Sequence, residues 1–122
     1  MVGFICENGA VYAGKHLLID LYDISYHGDI DEIEKVIVDA AKATGATVLF
    51  NHLHPFDGGG VSGAVILAES HLTIHTWYEE KFISLDIFVC GDCDPYKAIP
   101  ILENYFKPGN SSTTLERRGI MK

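Results

Sequence analysis

The sequence predicts an α+β fold, a two-layer α/β sandwich in which one mostly antiparallel sheet carries two helices on one of its faces. Two observations lead to it. Strand-like and helix-like segments follow in the order β-α-β-β-β-β-α-β, which leaves too few helices to alternate with the strands. The later strands also alternate apolar and polar residues, so one sheet face is apolar enough to lie under helices and the other is mixed.

Each element has its own signal. Lys15–Tyr22, rich in Leu, Ile and Tyr, reads as a first strand. Asp29 with Glu32 makes a capping pattern; Ile30, Ile33, Ile37, Ala40 and Thr44 then recur at helical spacing until Gly45 stops the helix. Thr47–Leu53 is a second strand, followed by a His54–Gly60 loop whose three glycines allow unusual backbone angles. Val61–Ala68, His71–Trp77 and Phe82–Val89 are three further strands. Asp92-Cys93-Asp94-Pro95 opens a second helix that runs to Phe106, where Lys107-Pro108-Gly109 ends it, and Ser112–Glu116 supplies a last strand.

With 122 residues the chain is long enough for one core and too short for two, so residues 1–122 are read as a single domain. A hydrophobic share of 48% favours a packed fold over disorder. Apolar runs such as Val36–Val38 and Ala64–Ala68 are far too short to span a bilayer, and Met1–Tyr12 carries Glu7 without a basic start, unlike a signal peptide. The expected compartment is the cytoplasm, with no membrane partner. Nine Lys and Arg against seventeen Asp and Glu give a net charge of −8, which repels nucleic acid. The one basic cluster, Arg117-Arg118 with Lys122, reads as a solvated tail. Cys6, Cys90 and Cys93 fit no disulfide framework and are expected as reduced thiols.

A hairpin across Tyr78–Lys81 that pairs Trp77 with Phe82 sets His75 opposite Ser84 and Thr73 opposite Asp86. Continued outward, this register puts Cys90 opposite Glu69 and beside Ser70. It also leads to the expectation that a thiol, two imidazoles (His71 and His75) and a serine gather near one end of the mixed face. Ile83, Leu85, Ile87 and Val89 fall on the opposite, apolar side.

Gly60-Val61-Ser62-Gly63 and the run Ala68-Glu69-Ser70-His71-Leu72-Thr73-Ile74-His75-Thr76-Trp77 closely resemble the prokaryotic S-adenosylmethionine decarboxylase proenzymes. Gly14-Lys15-His16 resembles the opening of family sequences, and Asp86-Ile87-Phe88-Val89-Cys90-Gly91 a later family stretch that ends in a functional cysteine. The resemblance runs from Gly14 to Phe106 and leaves Met1–Ala13 without a counterpart, so Cys6 is read as an ordinary thiol.

This resemblance implies a chain that cuts itself between Glu69 and Ser70 into residues 1–69 and 70–122. The Ser70 hydroxyl attacks the Glu69 carbonyl, a reaction in which fixed geometry can supply about 7–11 kcal/mol of the barrier. Ser62 helps hold the cleavage site, and His75 removes the α-proton of Ser70. Loss of ammonia then leaves Ser70 as a pyruvoyl cofactor. Its ketone forms a Schiff base with the substrate amine and serves as electron sink when carbon dioxide leaves. By the same resemblance Cys90 returns a proton to the substrate, Phe56 stacks on adenine, Glu79 binds the ribose hydroxyls and Trp77 adds a wall. Cys90→Ala is then expected to cleave normally and turn over poorly. The implied substrate is S-adenosylmethionine, for spermidine synthesis, and the implied assembly a dimer with active sites shared between subunits. A homo-oligomer also follows from the layers, since two helices cover one sheet face and leave the mixed one unsheltered.

Two departures bear on the substrate. Tyr78 stands where the family reads Trp-Pro-Glu, and Asp57–Gly60 is unusually rich in glycine. Arginine or ornithine is the alternative substrate class. A different class of reading is a non-catalytic zinc site made of Cys90, Cys93, His71 and His75, or a redox dithiol at the start of the second helix. An unprocessed binding domain is a third. No metal is expected. His71, His52 and His54 are each read as ordinary polar strand positions.

Overall fold

The computed structural model of the chain describes residues 3–122. Strands β1 (Ile5–Glu7), β2 (Ala10–Tyr12) and β3 (Gly14–Tyr22) precede helix α1 (Ile30–Ala43). Strands β4 (Val48–Pro55), β5 (Val61–Leu67), β6 (Ser70–Trp77) and β7 (Phe82–Val89) follow, then a 3-10 turn (Pro95–Ala98), helix α2 (Ile99–Phe106) and β8 (Asn110–Arg118). β1 and β2 form a separate hairpin; the other six strands make one antiparallel sheet in the order β4-β5-β6-β7-β3-β8. The α+β sandwich expected from the sequence is the fold observed. Among the described residues no helix is long and apolar enough to cross a membrane.

Period-two alternation divides the sheet as its composition demands. Leu17, Ile19 and Leu21 of β3, Leu72 and Ile74 of β6, and Ile83, Leu85, Ile87 and Val89 of β7 are buried under the helices. They meet Ile33, Ile37 and Ala40 of α1, and Leu102 and Phe106 of α2, in one core. Each such aliphatic side chain contributes about 1.5–3 kcal/mol on burial. Asp29 caps α1 by accepting from the Glu32 backbone N–H, and Gly45 beyond its end adopts a φ of 95°.

The second helix differs from the sequence expectation. A 3-10 turn comes first because Pro100 has no N–H to donate to Tyr96, and that carbonyl takes the Ile99 N–H instead. α2 ends as foreseen, with Lys107 in the left-handed region (φ 47°) and Pro108 barring continuation. β4 runs two residues further than expected, to Pro55, which shortens the glycine-rich loop. β8 extends to Arg118, so Arg117 and Arg118 do not lie in a solvated tail. Arg117 sits over the Tyr12 ring and pairs with Glu7, while Arg118 pairs with Gly14 and lies over Phe88. The β1–β2 hairpin is an addition to the expected elements, and Asn8-Gly9, with φ of 50° and 82°, is its local signal.

At Gly63 β5 lies close against β4. A Cβ there would lie 2.7 Å from Leu53 Cγ and 2.8 Å from the His52 carbonyl oxygen. Gly63→Ala should therefore cost about 1–3 kcal/mol of stability by overpacking. Denaturant unfolding checks this; an unchanged midpoint would mean that β4 and β5 separate freely.

Candidate active site

The face of the sheet turned away from the helices is a grid fixed by strand pairing. One row reads Phe50, Ile66, His71, Phe88, His16 and Glu116; the next reads His52, Ala64, Thr73, Asp86, Leu18 and Thr114. A third reads His54, Ser62, His75, Ser84, Asp20 and Ser112. The hairpin register expected from the sequence is the observed one, with Trp77 opposite Phe82, His75 opposite Ser84 and Thr73 opposite Asp86.

The sequence-derived residues fall into two groups, one at each end of β6. At one end Cys90 Sγ donates to the Glu69 carbonyl oxygen at 3.3 Å, and the Ser70 hydroxyl lies 3.3 Å from His71 Nδ1. Glu69, Ser70 and Cys90 line a cleft of about 370 Å³ together with Phe4, Ala13 and Phe88. Ser70 has a φ of 147°, a region that L-residues rarely adopt, with strain of order 1–3 kcal/mol. The Glu69 carboxylate accepts from the Thr47 backbone N–H at 2.9 Å, which fixes the residue before Ser70. At the other end Ser62 and His75, direct partners across β5 and β6, share a hydrogen bond of 2.8 Å. They line a pocket of about 340 Å³ with Phe56, Trp77, Tyr78 and Glu79. Five residues of extended strand, about 16 Å, separate Ser70 from His75. Within one chain the second imidazole at the Ser70 end is therefore His16, not His75.

A polar network that the sequence did not reveal surrounds His71. Asp86 Oδ2 meets His16 Nε2 at 2.6 Å and His71 Nε2 at 3.4 Å, and Thr73 donates to Asp86 Oδ1. Arg118 donates to His16 Nδ1 at 3.0 Å. Burial pushes the Asp86 carboxyl upward, but the hydrogen bonds from Thr73 and His16 and the nearby imidazoles outweigh it and hold it below the usual carboxylate range. His16 and Asp86 each had a local signal, as part of the Gly14-Lys15-His16 run and as a charge on the mixed face. Arg118 had none, since its place depends on β8 pairing with β3.

Cys90, Cys93, His71 and His75 do not converge. Among the described residues the group of three metal-ligating side chains that does converge is His16, His71 and Asp86, with ligand atoms within 4.8 Å. Arg118 makes it a poor cation site. Arginine can only donate, so Nδ1 of His16 accepts and Nε2 carries the proton that points at Asp86. Cys93 precedes a 3-10 turn rather than an α-helix, and burial, then Glu69, Cys90 and Asp92, raise its thiol pKa. That is opposite to what a redox thiol needs.

The two departures from the family pattern touch one another. A Cβ built on Gly59, which has a φ of 97°, would lie 3.5 Å from the Tyr78 ring, and that ring stands at right angles to His27 with centroids 4.9 Å apart. That distance is an ordinary contact, so it is the positive φ rather than lack of room that calls for glycine at this position.

Comparison with known proteins shows the family. The family model described as S-adenosylmethionine decarboxylase matches residues 15–119, which takes in β8 and leaves out the β1–β2 hairpin. An S-adenosylmethionine decarboxylase proenzyme of Methanococcus maripaludis is 38% identical over 112 residues, 89% of this chain and 92% of that protein. One from Caldanaerobacter subterraneus is 39% identical over 112 residues, 89% of this chain and 90% of that protein. The crystal structure of the adenosylmethionine decarboxylase from Aquifex aeolicus superposes with a TM-score of 0.79 at 31% identity, covering 89% of this chain and 92% of that one. Family model, relatives and fold agree, and the chain belongs to the S-adenosylmethionine decarboxylase family.

Proposed function

We propose that this chain is a proenzyme that cuts itself between Glu69 and Ser70, converts Ser70 to a pyruvoyl group and decarboxylates S-adenosylmethionine for spermidine synthesis. The observation that carries the reading is the scissile peptide itself. Its carbonyl oxygen accepts from the Cys90 thiol and its serine hydroxyl meets an imidazole nitrogen, at a strained φ. An ordinary Glu-Ser step in a strand has neither an electrophilic aid nor a base.

Ser70 fits the cofactor, because its carbonyl neighbour and hydroxyl are already engaged by donor and acceptor. A pyruvoyl group held there would supply a carbonyl able to take the substrate amine and act as an electron sink for the loss of carbon dioxide. Cys90, half-buried beside it, is positioned to return a proton to the substrate carbon. Phe56 and Trp77 offer exposed ring faces for an adenine, and Glu79 a carboxylate for ribose hydroxyls, all in one pocket. Ser62 and His75 in that pocket are assigned to processing, His75 as the base that removes the Ser70 α-proton.

Those assignments need a second copy. The Ser62–His75 pocket and the Ser70–Cys90 cleft are about 16 Å apart on one chain. Both open on the uncovered sheet face, where Leu18, Phe50, Ile66 and Trp77 are exposed. A two-fold partner laid face to face and reversed brings the His75 end of one chain to the Ser70 end of the other. We place this homodimer in the cytoplasm, where three unpaired thiols are stable.

Carbon dioxide release from carboxyl-labelled substrates tests the assignment. Release from S-adenosylmethionine, with none from arginine or ornithine, is the expected result; release from either amino acid instead would replace the substrate. In the same assay Cys90→Ala should lose most turnover. It should also cleave at least about tenfold more slowly, because the thiol rests on the scissile carbonyl. Normal cleavage, as expected from sequence, would mean that the contact does not assist it. Light scattering should give twice the 13.4 kDa chain mass; a strict monomer would rule out the shared site.

A further inference from the structure

We propose that His71 is the base that starts the self-cleavage, taking the Ser70 hydroxyl proton through Nδ1. This rests on the self-cleavage reading above and assigns the group that performs its first step. His75 cannot reach that proton within its own chain and keeps the later α-proton step.

Hydrogen-bond partners assign every proton in the network. Arg118 has only donors, so His16 Nδ1 accepts and His16 Nε2–H donates to Asp86 Oδ2. Asp86, held ionised, has only acceptors; it takes the Thr73 hydroxyl on Oδ1 and the His71 Nε2–H on Oδ2. That leaves a lone pair of the His71 imidazole on Nδ1, which faces the Ser70 hydroxyl at 3.3 Å. The order serine, imidazole, carboxylate is the arrangement by which a hydroxyl is made nucleophilic on unrelated folds. His71 is one-third exposed and Asp86 one-fifth, so the relay is partly shielded from water.

The step balances without any outside reactant. The Ser70 hydroxyl proton passes to His71 Nδ1 as Oγ bonds to the Glu69 carbonyl carbon, while Cys90 Sγ–H steadies the carbonyl oxygen. The bond from that carbon to the Ser70 nitrogen then breaks, and Nδ1 gives its proton to the departing nitrogen. An ester on Oγ and a free amine result, and His71 is neutral again. Asp86, His16, Thr73 and Arg118 are positioning residues: they fix which ring nitrogen of His71 is bare.

Hydroxylamine cleaves an ester and leaves this peptide bond intact, so it separates the two steps. Parent, His71→Ala, His71→Gln, Asp86→Asn and His75→Ala chains would be followed by intact mass with and without it. The expected result is a parent that self-cleaves and a His75→Ala chain that accumulates a hydroxylamine-sensitive ester. Both His71 variants and Asp86→Asn should instead stay full length and resist hydroxylamine, with cleavage slowed about 10²–10⁴-fold. Free imidazole should restore part of the rate to His71→Ala. His71→Gln keeps bulk and hydrogen bonding without basicity; a thermal melt like the parent's establishes that it folds. If folded His71→Gln cleaves at the parent rate, or accumulates the ester, His71 is not the base. A parent that never cleaves would overturn the self-cleavage reading and this assignment with it.

Discussion

The pairing of β6 with β5 and β7 holds the chemistry of this molecule in place. β6 carries Ser70, His71, Thr73, His75 and Trp77, and each meets its partner only in the observed register: Ser62 beside His75, Asp86 beside Thr73, Val89 beside Ser70. A slip by one residue would turn Leu72 and Ile74 out of the core and His71 and His75 into it. The buried aliphatic side of β6 thus pins the polar side. Burying Leu72 and Ile74 is worth several kcal/mol, far more than any hydrogen bond on the open face could recover.

Asp86 is the node at which this frame becomes chemistry. It sits in the middle of the sheet on β7, between β6 and β3, so one carboxylate can meet Thr73, His71 and His16 at once. Half-burial strengthens these contacts, and Arg118 adds a positive charge on the far side of His16. The same open face also presents Leu18, Ile66 and Trp77 beside these polar groups. A second sheet laid over it would exclude water from both.

The sandwich, the hairpin register and the Cys90–Glu69 neighbourhood were legible in the sequence because period-two alternation and a tight turn determine them locally. β8 was less so: Asn110 to Thr114 is polar throughout, as an edge strand allows, and Leu115 is its one residue packed against the core. Arg118 consequently looked like tail. The 3-10 turn was hidden by a cap at Asp94 that suits either helix type, and Pro100 decided between them. In the sequence His71 looks like an ordinary strand histidine because its partners come from β7 and from its own neighbour, and a spacing rule for one strand sees neither. His75 was assigned beside Ser70 because the sequence shows that both lie on one strand without showing that strand's length as a distance.

The central claim is that the Glu69–Ser70 bond is built to break. Intact mass of the freshly purified chain tests it most directly. The account predicts two fragments, Met1–Glu69 and Ser70–Lys122, the second lighter by one ammonia than its sequence requires. A single full-length mass after long incubation, from a chain that is folded, would contradict it.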